Sequence, residues 1–163
     1  DEDVMLNFRI VCIGSLKESY LRDAAAEYEK RLGAFCNLSI IELKEHKLSD
    51  NPSPVEIKDA LDEEADRILK ATLPRSYKIA LCVEGKQFSS PALAEKLAMI
   101  GQTHGALTLI VGSSFGLAPS VKSACDLRLS VSELTFPHQL IRILLLEIFY
   151  RCFNILKGTK YHK

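Results

Sequence analysis

A chain of 163 residues with 47 % hydrophobic content, and with 21 basic against 21 acidic side chains, has the make-up of one globular domain. Its hydrophobic content excludes a disordered chain, and its net charge of zero argues against tight non-specific RNA binding while allowing recognition of one folded RNA site. The longest strictly apolar run, Ile79 to Val83, is far too short to span a membrane.

The first four residues, Asp1-Glu2-Asp3-Val4, are acidic and lack a signal-peptide pattern. They read as a remnant ahead of a native start at Met5, and without them the net charge becomes +3. Residues 7–13, NFRIVCI, have the pattern of a strand. Helix formers then fill 16–32, and Gly33 stands where a helix would stop. A second strand is expected over 37–43. The polar, proline-bearing loop 44–54 is the segment expected to be most mobile.

An amphipathic helix follows over 55–72, with Ile57, Leu61, Ala65, Ile68 and Leu69 on one face. Residues 77–83 form the third expected strand. Ser90-Pro91 opens a helix that runs to about His104, before Gly105. The fourth strand, 106–111, leads into glycines and serines. A short helix near 119–125 and a fifth strand over 126–132 come next. The last helix starts at Pro137 and ends near Leu156. Strands alternating with helices predict an α/β fold: a mainly parallel sheet of five to six strands with helices on both faces, in a single domain over 5–163.

The last helix carries Leu140, Ile141, Ile143, Leu144, Leu145, Leu146, Ile148 and Phe149, which point in nearly every direction. A helix apolar all round is buried all round. The sheet can cover one side only, so the other side is expected to meet a second subunit in a two-fold dimer. A central core helix in a monomer is the alternative.

Five cysteines, Cys12, Cys36, Cys82, Cys125 and Cys152, form no C-x-x-C pair and read as buried, reduced thiols of a cytosolic protein. No metal is expected, because the possible ligands are not clustered in the sequence.

Residues 107–117, LTLIVGSSFGL, contain G-x-S-x-G, the nucleophile elbow of serine hydrolases. Ser114, Asp126 and His138 even follow in the hydrolase order. Against that reading, Asp126 stands at a strand start, and Leu117-Ala118-Pro119-Ser120 separates the elbow from its helix. The run EGKQ (84–87) lacks the hydroxyl residue of a phosphate loop, and Ala80 stands where its first glycine belongs. The loops after strands three, four and five therefore look like a ligand site without a triphosphate or dinucleotide fingerprint. Plain strand-to-helix turns are the alternative. Glycine at 112 and 116 lets backbone approach a ligand closely.

From Arg142 onward, Arg142, Arg151, Lys157, Lys160 and Lys163 face only Glu147, a local charge of +4. A basic tail with Tyr161 and His162 suits phosphate contact and base stacking, and equally suits a solvated helix end. His138, beside Pro137, reads first as a capping or packing residue, with a proton carrier as the alternative.

Four stretches, LTFPHQLIRILLLEIFYRC, LIVGSSFGL, LCVEGK and the terminal YHK, together resemble the small SPOUT methyltransferases that methylate N3 of a pseudouridine in large-subunit ribosomal RNA of bacteria. The opening CIGSLKESYLRDAAAEYEKRL is also similar to that family's first strand and helix. The resemblance covers the chain from about residue 6. Two positions differ from the family's usual residues: Ser113, where a second glycine is usual, and Ile148, where glutamine is usual.

The resemblance implies a C-terminal trefoil knot, a cytoplasmic homodimer acting on ribosomal RNA or the ribosome, and S-adenosylmethionine bound in the knot. By position, the cofactor contacts would be Leu81, Gly112, Val131, Ser132, Glu133, Leu134, Thr135 and Phe136. His162 is expected to take a proton, Arg142 to stabilise an imide anion and Tyr161 to stack or hydrogen-bond, with the tail of one subunit completing the site of the other. A different RNA target, a serine hydrolase and a non-enzymatic ribosome-binding module remain as alternatives.

Overall fold

The computed structural model describes residues 5–163, so the reading of Asp1–Val4 as a remnant lies outside the described residues. Strands and helices alternate along the chain. β1 (Leu6–Ile13), α1 (Ser19–Leu32), β2 (Cys36–Leu43) and α2 (Pro54–Ala71) come first. β3 (Tyr77–Lys86), α3 (Ser90–Thr103), β4 (Ala106–Val111), α4 (Pro119–Ala124), β5 (Leu127–Leu129) and α5 (His138–Lys157) follow. The pairings are all parallel, and the order across the sheet is β2-β1-β4-β3-β5. The expected α/β class holds, with five strands.

Alternation along the strands divides the core into two layers. Phe8, Ile10 and Cys12 of β1 and Leu107 and Leu109 of β4 face one side, where α1, α3 and α5 cover them. The rings of Phe8 and Phe149 meet there at 4.9 Å. Val11, Ile13, Ala80, Cys82 and Ile110 face the other side, against Ala65 and Ile68 of α2 and Val121 of α4. Helix α2 starts on a full capping box, with Ser53 accepting from the Glu56 amide and Glu56 accepting from the Ser53 amide.

Three expected boundaries move, each for a local reason. α1 begins at Ser19 rather than 16. The carbonyls of Leu16 and Lys17 accept from the Arg22 guanidinium, and the Lys17 amide donates to the Gln139 side chain. Their backbone groups are thereby held outside the helix. β3 extends to Lys86 through a register shift after Leu81. A Cβ at Gly85 would stand 2.7 Å from the Arg128 carbonyl carbon, so only glycine fits against that backbone. β5 is short: its pairing with β3 ends where the Ser130 amide donates to the Lys86 carbonyl, and beyond that point the Ser130 and Ser132 hydroxyls bond within their own loop.

The loop between β2 and α2 is anchored at His46. The amide of His46 donates to Glu64, which is 2 % exposed, and the His46 ring contacts Glu63. Burial raises the Glu64 carboxyl above its ordinary value.

The last helix is covered from more than one side within the chain. α5 is flanked by α1 and α3, so much of its circumference is covered within one chain. What stays open is a narrower stripe. Leu140 is exposed, and Leu144 and Ile148 are half-buried one turn apart. Among the described residues, no helix is long and apolar enough to cross a membrane. The cysteines are free, with four buried and Cys125 intermediate.

Candidate active site

The sheet itself makes a crevice. The loop after β3 leads to α3 on one face, and the loop after β4 leads to α4 on the other. Where neighbouring strands send their chains to opposite faces, their carboxyl ends are left open to a ligand. Leu81 to Glu84 and Val111 to Leu117 line a cavity of about 490 Å³ at that place. The third wall is the segment after β5, from Val131 into the start of α5. This size falls within the roughly 300–1,000 Å³ of small-molecule sites.

The tight turn in the middle of the site depends on two glycines. Val111 ends β4, and Ser113 and Gly116 then form an isolated bridge. A Cβ at Gly112 would stand 2.7 Å from the Gly116 carbonyl carbon, closer still to its oxygen, and 2.9 Å from Leu117 Cδ2. Gly116 has φ +88°, where a side chain would strain the backbone. Ser113 lies outside the left-handed region, and its hydroxyl accepts from the Phe115 amide at 3.2 Å. Serine therefore fits where the family usually has glycine. Ile148 packs half-buried on the core.

The expected cofactor residues converge. Leu81, Gly112, Val131, Ser132, Leu134, Thr135 and Phe136 all line this one cavity, and Glu133 does not. Sequence reasoning missed Val83, Glu84, Phe115, Lys122 and Ile141, which complete the walls and rim. Val83, Phe115 and Leu134 are 58 %, 44 % and 72 % exposed, an apolar rim that a folded chain ordinarily hides. Lys122 donates to Glu84 at 2.6 Å and holds its carboxyl below the usual range. His138 is not the cap of α5, which begins without a side-chain cap; it lines the cavity.

The three expected catalytic residues stand elsewhere in the single chain. Arg142 is buried and donates to Glu42 at 2.8 Å and to the Gly14 carbonyl at 3.3 Å. It lines a separate cavity of about 510 Å³ with Cys12, Glu29 and Glu42. The tail folds back on α5, where Tyr161 donates to Glu147 at 2.7 Å. Arg151 donates to Glu147 at 2.8 Å and to His162 Nδ1 at 3.3 Å, which requires that nitrogen to be unprotonated. Burial alone would raise the Glu147 carboxyl, but hydrogen bonds from Tyr161, Tyr28 and Arg151 bring it below the ordinary value. The bond to Glu147 raises the Tyr161 phenol. Burial, followed by the Glu147 bond, pushes Tyr28 up to about 12.

The hydrolase triad does not form. Asp126 accepts from the Lys78 amide, and its own amide donates to the Lys78 carbonyl, at the start of β5. In a parallel sheet that end lies opposite Ser114, which follows the carboxyl end of β4. Among the described residues, no three His, Cys, Asp or Glu side chains gather as a metal site would require.

The family model described as "Predicted SPOUT methyltransferase" matches residues 6–162. A protein of Streptococcus thermophilus (strain CNRZ 1066) named "Ribosomal RNA large subunit methyltransferase H" is 45 % identical, over 97 % of this chain and 100 % of its own length. A protein of the same name from Streptococcus equi subsp. zooepidemicus (strain MGCS10565) is 42 % identical over the same shares. A third, "Putative ribosomal RNA large subunit methyltransferase H" of Methanococcus maripaludis (strain C5 / ATCC BAA-1333), is also 42 % identical over those shares. With the family model matching from the first strand to the tail and these relatives aligned over their whole length, the chain belongs to the SPOUT methyltransferases, within the family named ribosomal RNA large subunit methyltransferase H.

Proposed function

We propose that this protein is a cytoplasmic, S-adenosylmethionine-dependent methyltransferase of large-subunit ribosomal RNA, acting on N3 of a pseudouridine as a knotted homodimer. The observation that carries the reading is the three-loop cavity, in which seven expected cofactor residues meet. Its residues fit the cofactor. Leu81, Val111, Leu117, Val131 and Phe136 give apolar walls for a flat base. The absent side chain at Gly112 lets the 112–117 turn close tightly along one edge. S-adenosylmethionine, when bound, supplies a methyl group activated on a sulfonium.

The chain's own part is binding, orientation and proton handling. The loops hold the donor and keep water from it. Ring N3 of pseudouridine must lose its imide proton as the new N–C bond forms. His162 is the proposed acceptor, and Tyr161 the proposed stacking or hydrogen-bonding partner, both delivered from the partner subunit. That delivery requires the Arg151–His162 contact seen within one chain to open. Arg142 enters one step removed from the expected anion contact. Engaged by Glu42 and Gly14, it holds the start of α5, and with it Ile141 and His138 of the cavity. The stripe Leu140, Leu144 and Ile148 is the proposed dimer contact.

Calorimetric titration with S-adenosylmethionine, with subunit mass determined on the same sample, tests the reading. Saturable binding by a dimer is the expected result. No binding, either alone or with ribosomes present, leaves a non-enzymatic ribosome-binding module in its place.

A further inference from the structure

A second groove lies against the cofactor cavity. It is about 770 Å³ in volume and runs between the β2–α2 loop and the start of α5. Phe115 and His138 line both spaces, so these two side chains form a common wall. Group transfer needs such an arrangement, with two reactants in separate seats that meet at one boundary.

The charges of the groove select its occupant. Lys17, Lys44 and Lys47 line it, and none has a carboxylate within ion-pair distance among the described residues. Of its two acids, Glu42 is already paired with Arg142. Glu45 alone opposes three ammonium groups. The backbone near these cations is anchored at two points. Glu64 and Glu63 hold His46 between the two loop lysines, and Gln139 holds the Lys17 amide. Phe115, 44 % exposed on the common wall, offers a ring face. Tethered cations beside an exposed aromatic ring are what an unstacked nucleotide needs: the cations take phosphate and the ring takes the base.

We infer that this groove seats the target nucleotide of a single-stranded RNA segment, with its base against Phe115 and its phosphates on Lys44 and Lys47. The inference rests on the RNA methyltransferase reading above. Lys44 and Lys47 lie outside the cofactor cavity, so the two functions separate in one experiment.

The full-length protein carrying Lys44→Glu and Lys47→Glu is compared with the wild type, using S-adenosylmethionine and ribosomes from cells lacking this methyltransferase. Calorimetry on the variant should give a cofactor Kd within about twofold of wild type, which also reports its folding. Its KM for ribosomes should rise roughly tenfold or more, and two lost phosphate contacts on a single strand should flatten the salt dependence of ribosome binding by about 1.4 in log–log slope. Photocrosslinking of bound ribosomes should place RNA on residues 44–49 or Phe115 in the wild type. An unchanged KM and salt slope, in a variant measured beside an active wild type, overturns the groove assignment alone. A wild type that neither binds cofactor nor methylates ribosomes overturns the parent reading, and the groove with it.

Discussion

Replacing Gly112 by alanine probes the most constrained point of the cofactor cavity. The new Cβ would lie 2.7 Å from the Gly116 carbonyl carbon and 2.9 Å from Leu117 Cδ2. The leucine tip can turn away, but the carbonyl is backbone and cannot. The 112–117 turn must therefore open, on the face that lines the cavity. Forcing one methyl into such a contact costs about 1–3 kcal/mol. In a chain of this size that lowers Tm by roughly 2–4 °C per kcal/mol. The moved wall should also weaken S-adenosylmethionine binding at least tenfold, about 1.4 kcal/mol. Gly101→Ala is the matched control, because nothing lies within 4 Å of its added Cβ and the site is helical. That change should stabilise by roughly 0.4–1 kcal/mol and leave cofactor binding alone. Thermal unfolding and calorimetry on the two variants decide the matter. A Gly112→Ala protein with wild-type Tm and wild-type cofactor affinity would refute the close-approach reasoning.

Three further outcomes are expected. Arg142→Met leaves Glu42 without its partner and the Gly14 carbonyl without a donor, so chemical denaturation should show a loss of about 2 kcal/mol, discounted for the half-exposed Glu42. Cofactor affinity should fall with it, and a variant of unchanged stability would contradict the positioning role. Glu147 has a folded-state pKa below its ordinary 4.5, so its contribution is complete above that value and is lost as pH falls through the depressed one. The tail should accordingly resist carboxypeptidase at neutral pH and become open to it in acid, with Glu147→Gln open already at neutral pH; equal digestion of wild type and variant at neutral pH would contradict the latch. Burial pushes Cys12 and Cys125 to about 11 and Cys36 and Cys152 to about 12, and raises Cys82. Ellman's reagent at pH 8 should therefore react slowly with the native protein and quickly with five thiols after unfolding; rapid native labelling would contradict the packing.

Much of the fold was legible because periodicity and punctuation agree in this chain. Val11 and Ile13 alternate with Ile10 and Cys12 across β1, and Leu61, Ala65 and Ile68 recur at helical spacing along α2. The cofactor wall was legible through the family resemblance, with Gly112 the one member that elementary sterics also single out. Other features depend on contacts far apart in sequence. The Lys17–Gln139 bond that keeps residues 16–18 out of α1 spans 122 positions, and the Gly85 bulge exists only against Arg128. The covering of α5 by α1 and α3 was hidden for the same reason: a helix apolar all round signals burial but not by what. His138 reads as a helix-end residue in sequence, and only the folded chain puts it between two cavities.

Methyl transfer to ribosomes is the measurement closest to the central claim. Purified protein would be incubated with S-adenosylmethionine labelled in its methyl group and with ribosomes from cells lacking this methyltransferase, and the modified nucleoside mapped by digestion and mass spectrometry. The expected result is one labelled methyl per large subunit, on N3 of a pseudouridine, lost in parallel with cofactor binding in Gly112→Ala. Unlabelled RNA from a protein shown to be folded, or label that survives when the cavity no longer binds cofactor, would contradict the claim that this cavity carries the reaction.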